Sequence, residues 1–91
     1  SFFGSDKKTY RLMKSGKVLR CDDKKKNNFI EKYDMHKYYV TLHSKDNKMF
    51  YLVPMPQYEL NQGLTSVKLQ AKDVEDRAIW IDALNSVAAD Q

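Results

Sequence analysis

The chain has 91 residues, 42% of them hydrophobic and 31% charged, and carries a net charge of +4 at pH 7. This balance suits one globular domain near the lower size at which a single core is stable, and it excludes a disordered chain. No apolar run approaches the ~20 residues of a membrane span, no signal-peptide pattern opens the sequence, and the lone Cys21 excludes an intrachain disulfide.

In chain order, Ser1-Phe-Phe-Gly4 is either the end of a first strand or a linker, so Phe2 and Phe3 read as core or as an exposed hydrophobic tip. Lys8 to Lys14 and Lys17 to Asp22, joined at Ser15-Gly16, form a hairpin with a two-residue turn. Cys21 falls within its second strand and is expected to be buried rather than reactive. A polar loop from Asp23 to Asn28 precedes a further strand, Phe29 to Tyr33, and a turn, Asp34 to Lys37. Lys37 to His43 is rich in aromatic and β-branched residues; alternation places Tyr38, Val40 and Leu42 inside and Tyr39, Thr41 and His43 outside. Met49 to Val53 is the next strand, ended by Pro54 and Pro56, because proline cannot donate to the ladder. Gln57 to Thr65 reads as an irregular connection, long for a compact domain.

The last quarter has the clearest pattern. Val67, Leu69 and Ala71 alternate with Lys68, Gln70 and Lys72, as in a strand with one buried face. The period then changes, and Trp80, Ile81, Leu84, Val87 and Ala88 share one stripe of a helix. Asp73 is suited to cap that helix, and Glu75 and Asp76 favour the positive end of its dipole. The pattern is mainly β with one C-terminal helix. Burying the helix stripe is expected to be the largest tertiary term, with Trp80→Ala costing about 3–5 kcal/mol.

The closing strand and helix, through Leu69, Ala71, Asp73, Glu75, Arg77, Trp80, Ile81 and Leu84, resemble the end of a pleckstrin homology (PH) domain. The resemblance implies a PH-like barrel of two near-orthogonal antiparallel sheets. The family has seven strands, of which six to seven are visible here, and the helix plugs one end. Residues 1–91 would form this single domain, with strands within 8–72, a helix over 74–88, and Trp80, Ile81 and Leu84 as structural residues.

The charge is unevenly spread. Up to Lys26, nine basic residues stand against three acidic ones, a net of +6, which leaves –2 for the remainder of the +4 chain. Such asymmetry points to an anionic partner at one end of the molecule. Lys7, Lys8, Lys24, Lys25 and Lys26 would converge if the chain before the first hairpin strand and the loop after the second share an end. Each basic residue near an anionic bilayer contributes roughly 1 kcal/mol. Many PH domains bind phosphoinositides through K-x(n)-[K/R]-x-R between their first two strands. By that resemblance Lys7 or Lys8 stands for the first lysine, Arg11 for the last arginine, Arg20 for the third-strand base, and Lys24 to Lys26 for the following loop. Thr9 occupies a position that is basic in the motif. A second register takes Tyr10 to Lys14 as the family's first strand and shifts every correspondence by one strand.

The Lys-, Asn- and Tyr-rich composition also resembles that of a protein from an AT-rich genome such as a malaria parasite's, and with the PH resemblance this implies the acylated PH-domain family of apicomplexan parasites that senses phosphatidic acid. A compact phosphomonoester would suit a lysine cluster without the full phosphoinositide motif. No Gly-rich phosphate loop, nucleophile motif or Cys pair is present, and His36 and His43 read as surface residues. The order of strands and helix does not fit an RNA-binding sheet. The expectation is a non-catalytic monomer without metal or cofactor and without nucleic acid as partner. It would be peripheral on the cytosolic face of a membrane and bind anionic phospholipids. The alternative is a protein-interaction module using a groove beside the helix or the Pro54 to Thr65 connection.

Overall fold

A computed structural model describes residues 8–13, 17–23 and 28–89, with side chains to Ser86. The readings on Phe2, Phe3, Lys7, the Ser15-Gly16 turn, Lys24, Lys25, Lys26, and the side chains of Val87 and Ala88 lie outside these residues. The strands β1 (Lys8–Leu12), β2 (Val18–Asp23) and β3 (Asn28–Asp34) pair antiparallel in that order. A 3-10 turn (Met35–Lys37) leads into the second antiparallel sheet, β4 (Tyr38–Leu42), β5 (Met49–Pro54) and β6 (Val67–Gln70). Helix α1 (Pro56–Gln62) connects β5 to β6, and α2 (Val74–Ala89) follows.

Alternation explains the core. Tyr10 and Leu12 on β1 stand opposite Cys21 and Leu19 on β2, and Leu19 stands opposite Tyr33 on β3. Tyr10, Leu19, Cys21 and Tyr33 are buried and meet Phe50, Leu52 and Leu69 of the second sheet in one cluster. Met35, to which the sequence pattern gave no role, is among the largest fully buried side chains. Asp34 fixes the turn that carries it, its Oδ1 accepting from the His36 N–H at 3.1 Å. Tyr33 and Tyr38, on either side of this turn, meet edge to face with ring centroids 6.0 Å apart.

Two expectations are corrected. Leu42 is 56% exposed rather than inward, because it ends β4 and alternation guarantees burial only where a facing layer continues. Gln57 to Thr65 is irregular only from Gly63 onward: Pro56 opens α1, where its missing N–H removes nothing from the helix. Gly63 closes α1 in the left-handed conformation (φ 66°), its N–H donating to the Glu59 carbonyl at 3.1 Å. The apolar stripe of α2 packs against the core, unevenly. Leu84, at 1% exposure, is the side chain most deeply set from the described part of this helix, whereas Trp80 and Ile81 are only half-buried against the core.

The start of α2 follows the sequence reading. Asp73 Oδ1 accepts from the Asp76 N–H at 2.7 Å, and Asp76 Oδ2 accepts in return from the Lys72 N–H at 3.2 Å. This reciprocal arrangement satisfies N–H groups that have no partner inside the helix. In the same turn, Arg77 Nη1 donates to the Met49 carbonyl at 3.0 Å, tying the helix to the start of β5.

Candidate functional site

Strand register determines which cations meet. Lys8 opens β1 opposite Asp23, the end of β2, and Asp23 stands opposite Asn28, the start of β3. Three strand ends therefore lie side by side at one end of the first sheet. By alternation Lys8 belongs to the inward face with Tyr10, and its pairing partner Asp23 to that face with Cys21.

Arg11 and Arg20 are direct cross-strand partners on the opposite, outward face. Two like charges so placed repel unless an anion lies between them. Asp22 supplies it. Its carboxylate, in a residue only 4% exposed, accepts from Arg20 Nε at 3.0 and 3.1 Å and from Arg11 Nη2 at 3.3 Å. The side chain of Arg11 remains 62% exposed and that of Arg20 36%. Lys32 is the cross-strand partner of Arg20 on β3 and is exposed. The Arg20 guanidinium also lies 5.2 Å over the ring of Phe29, a cation–π contact. The described candidates thus form two groups, Lys8 on one face and Arg11 with Arg20 on the other.

The inward face of the first sheet, toward its other end, has phenols and a carboxylate. Tyr33 donates its hydroxyl to Glu31 Oε2 at 3.2 Å. Burial, reinforced by the Glu31 charge and hydrogen bond, holds the Tyr33 phenol well above its usual pKa. Tyr38 is raised by burial and by Glu31 and Asp34. Burial also raises the Cys21 thiol, opposed by a hydrogen bond from Tyr10 and the charge of Lys8. These shifts keep all three groups neutral; none supplies a nucleophile at neutral pH. Among the described residues no group of three His, Cys, Asp or Glu could hold a metal ion, and no helix is long and apolar enough to cross a membrane.

No protein-family model and no curated protein matches the chain. Solved structures do. A DH/PH fragment of PDZRHOGEF, from its complex with human RhoA, aligns with 99% of this chain at 12% identity and a TM-score of 0.68. The DH/PH domain of human ARHGEF11, from a ternary complex with RhoA and an inhibitor, aligns with 92% at 13% identity and 0.70. An N-terminally truncated linker-DH/PH fragment of p115-RhoGEF aligns with 92% at 14% identity and 0.67. The fold is PH-like. The chain spans less than a third of those chains, 28–29% of their length.

On this PH-like frame, three residues that meet the candidate cations were missed by sequence reasoning. Asp22 had been counted only as an opposing charge, although Arg20-x-Asp22 is the period-2 spacing that puts two residues on one face of a strand. Lys32 joins Arg20 only through register. Phe29 was assigned to a strand with no indication of which side it would take.

Proposed function

We propose that this domain is a non-catalytic membrane-targeting module that docks on anionic phospholipid headgroups as a monomer, on the cytosolic face of a membrane. The observation that carries the proposal is the meeting of Lys8, Asp23 and Asn28 at one sheet end, with Arg11 and Arg20 farther along β1 and β2 on the other face. The segment joining Asp23 to Asn28 contains Lys24, Lys25 and Lys26, and the residue before Lys8 is Lys7, so the basic runs of the sequence attach to the same end. Counting strands back from the helix gives β1 the second place of seven, which favours the register with Arg11 as the motif arginine.

Attraction would come first, from the long-range field of the basic end, and headgroup contact second. Glu31 and Asp22 weaken a deep polyanion pocket, so the reading favours a compact headgroup, phosphatidic acid ahead of a phosphoinositide. The second reading is a protein partner, favoured by Leu60 on α1 and Ile79 on α2, which are 86% and 68% exposed. Vesicle co-sedimentation separates the two. Replacing Lys24, Lys25 and Lys26 by Glu should abolish binding to vesicles containing phosphatidic acid, compared with phosphatidylserine and single phosphoinositides at matched charge. Unchanged binding by the triple variant would remove these lysines from the site. No vesicle binding by the parent would transfer the function to a protein partner.

A further inference from the structure

A regular strand shows successive side chains to opposite faces, so two large apolar neighbours both in solvent need a reason. Phe29 and Ile30 are such a pair, 53% and 45% exposed near the start of β3. The cause is a break in register. Cys21 stands opposite Glu31 and Asp22 opposite Phe29, so Ile30 is skipped by the ladder and bulges out. Bulges of this kind re-aim side chains at a sheet end. Beside the pair lies a cationic rim: Arg20 rests over the Phe29 ring, Lys32 is its cross-strand neighbour, and Arg11 is held near it through Asp22.

An apolar tip bordered by exposed cations matches the chemistry of an anionic bilayer surface, where aromatic and aliphatic groups enter the headgroup–acyl boundary and basic groups stay at phosphate depth. We propose that Phe29 and Ile30 form a wedge that enters this boundary, with Arg11, Arg20 and Lys32 at the phosphates. The inference rests on the lipid-docking reading and deepens it: charge brings the domain to the surface, and the wedge slows its departure. An apolar protein groove would take the same two side chains but would leave the three cations to be desolvated, which disfavours it.

The test places an environment-sensitive fluorophore on Ile30→Cys, with Ile79→Cys as the control. Cys21, at 1% exposure, is protected from labelling, and the labelled parent checks that. Ile79 is 68% exposed on α2, three residues from the acidic Asp82. On phosphatidylcholine vesicles containing phosphatidic acid, the label at position 30 should shift to the blue and be quenched by brominated acyl chains, while that at 79 should not. Phe29→Ser with Ile30→Ser, which leaves the charge unchanged, should weaken binding at least about tenfold, given the apolar area withdrawn. Circular dichroism checks that the double variant keeps its fold. Binding with the label at 30 still in water would overturn the wedge and leave lipid docking intact. If neither parent nor labelled protein bound vesicles, both readings would fall together.

Discussion

The depth at which α2 is seated makes a quantitative prediction. Leu84 is 1% exposed and belongs to the same cluster as Phe50, Leu52 and Leu69, so Leu84→Ala removes a side chain that water cannot replace. Such truncations cost about 2.7–5.0 kcal/mol, the spread reflecting how far the cavity collapses. A domain of this length holds roughly 5–13 kcal/mol in all, so about 3 kcal/mol is a quarter to more than half of its stability. The melting temperature should fall by about 12–24 °C. Trp80 is only half-buried, and its removal opens the site to solvent instead of leaving a closed void. Trp80→Ala should therefore cost about 2–3 kcal/mol, less than Leu84→Ala and less than the side chain's size suggests. Urea titration followed by far-ultraviolet circular dichroism is the suitable assay, because the one tryptophan cannot report its own removal. A larger loss for Trp80→Ala at equal denaturant slopes would refute the ranking and return the anchoring role to the indole.

Two further perturbations address the first sheet. Asp22→Asn removes the negative charge, and one of the two acceptor oxygens, shared by two guanidinium groups, and equilibrium unfolding should show a loss of about 1–2 kcal/mol. The same change adds one net positive charge, so binding to phosphatidylserine vesicles at low salt should strengthen by up to about 1 kcal/mol. Weaker binding by a folded variant would mean that Asp22 matters more for aiming the arginines than for offsetting their charge. Tyr33 has a phenol whose folded pKa lies above the ordinary value of 10.0. The folded state then holds its proton more tightly than the unfolded state, so this contribution is complete below about pH 10 and is lost as pH rises beyond it. Tyr33→Phe should make the alkaline fall in melting temperature shallower, and a slope as steep as the parent's would assign the effect elsewhere.

The elements with a strong period were legible in the sequence. Strands β1, β2 and β6 and helix α2 each carry an apolar period, and Asp73 starts α2 as expected, so local chemistry agrees with the fold. Helix α1 lacked that agreement: none of its residues is buried and Leu60 faces solvent, so there was no stripe to detect. Its one signal was Pro56 at the first helical position with Gly63 just past the end, and two nearby prolines read more readily as the end of a strand. The cations of the candidate site could be counted but not grouped. Whether Lys8 and Arg11 share a face depends on parity, three positions along a strand giving opposite sides. The exposure of Ile30 depends on one skipped residue, which no alternation pattern carries.

The contact between Arg77 and the start of β5 has a consequence for how the domain fluctuates. The turn between β4 and β5 is held from within by His43 Nδ1, which accepts from the Lys45 and Asp46 amides at 3.1 and 2.9 Å. From outside it is held by the Arg77 guanidinium on the Met49 carbonyl. Arg77 lies in the opening turn of α2, where the Asp73 and Asp76 caps also act, so loosening the turn pulls on the helix cap and loosening the cap releases the turn. The two segments, almost thirty residues apart in sequence (49 and 77), form one cooperative opening unit rather than two independent ones. Amide exchange should report it as matched protection in the Asp46–Met49 turn and the first turn of α2, and unequal protection would separate them.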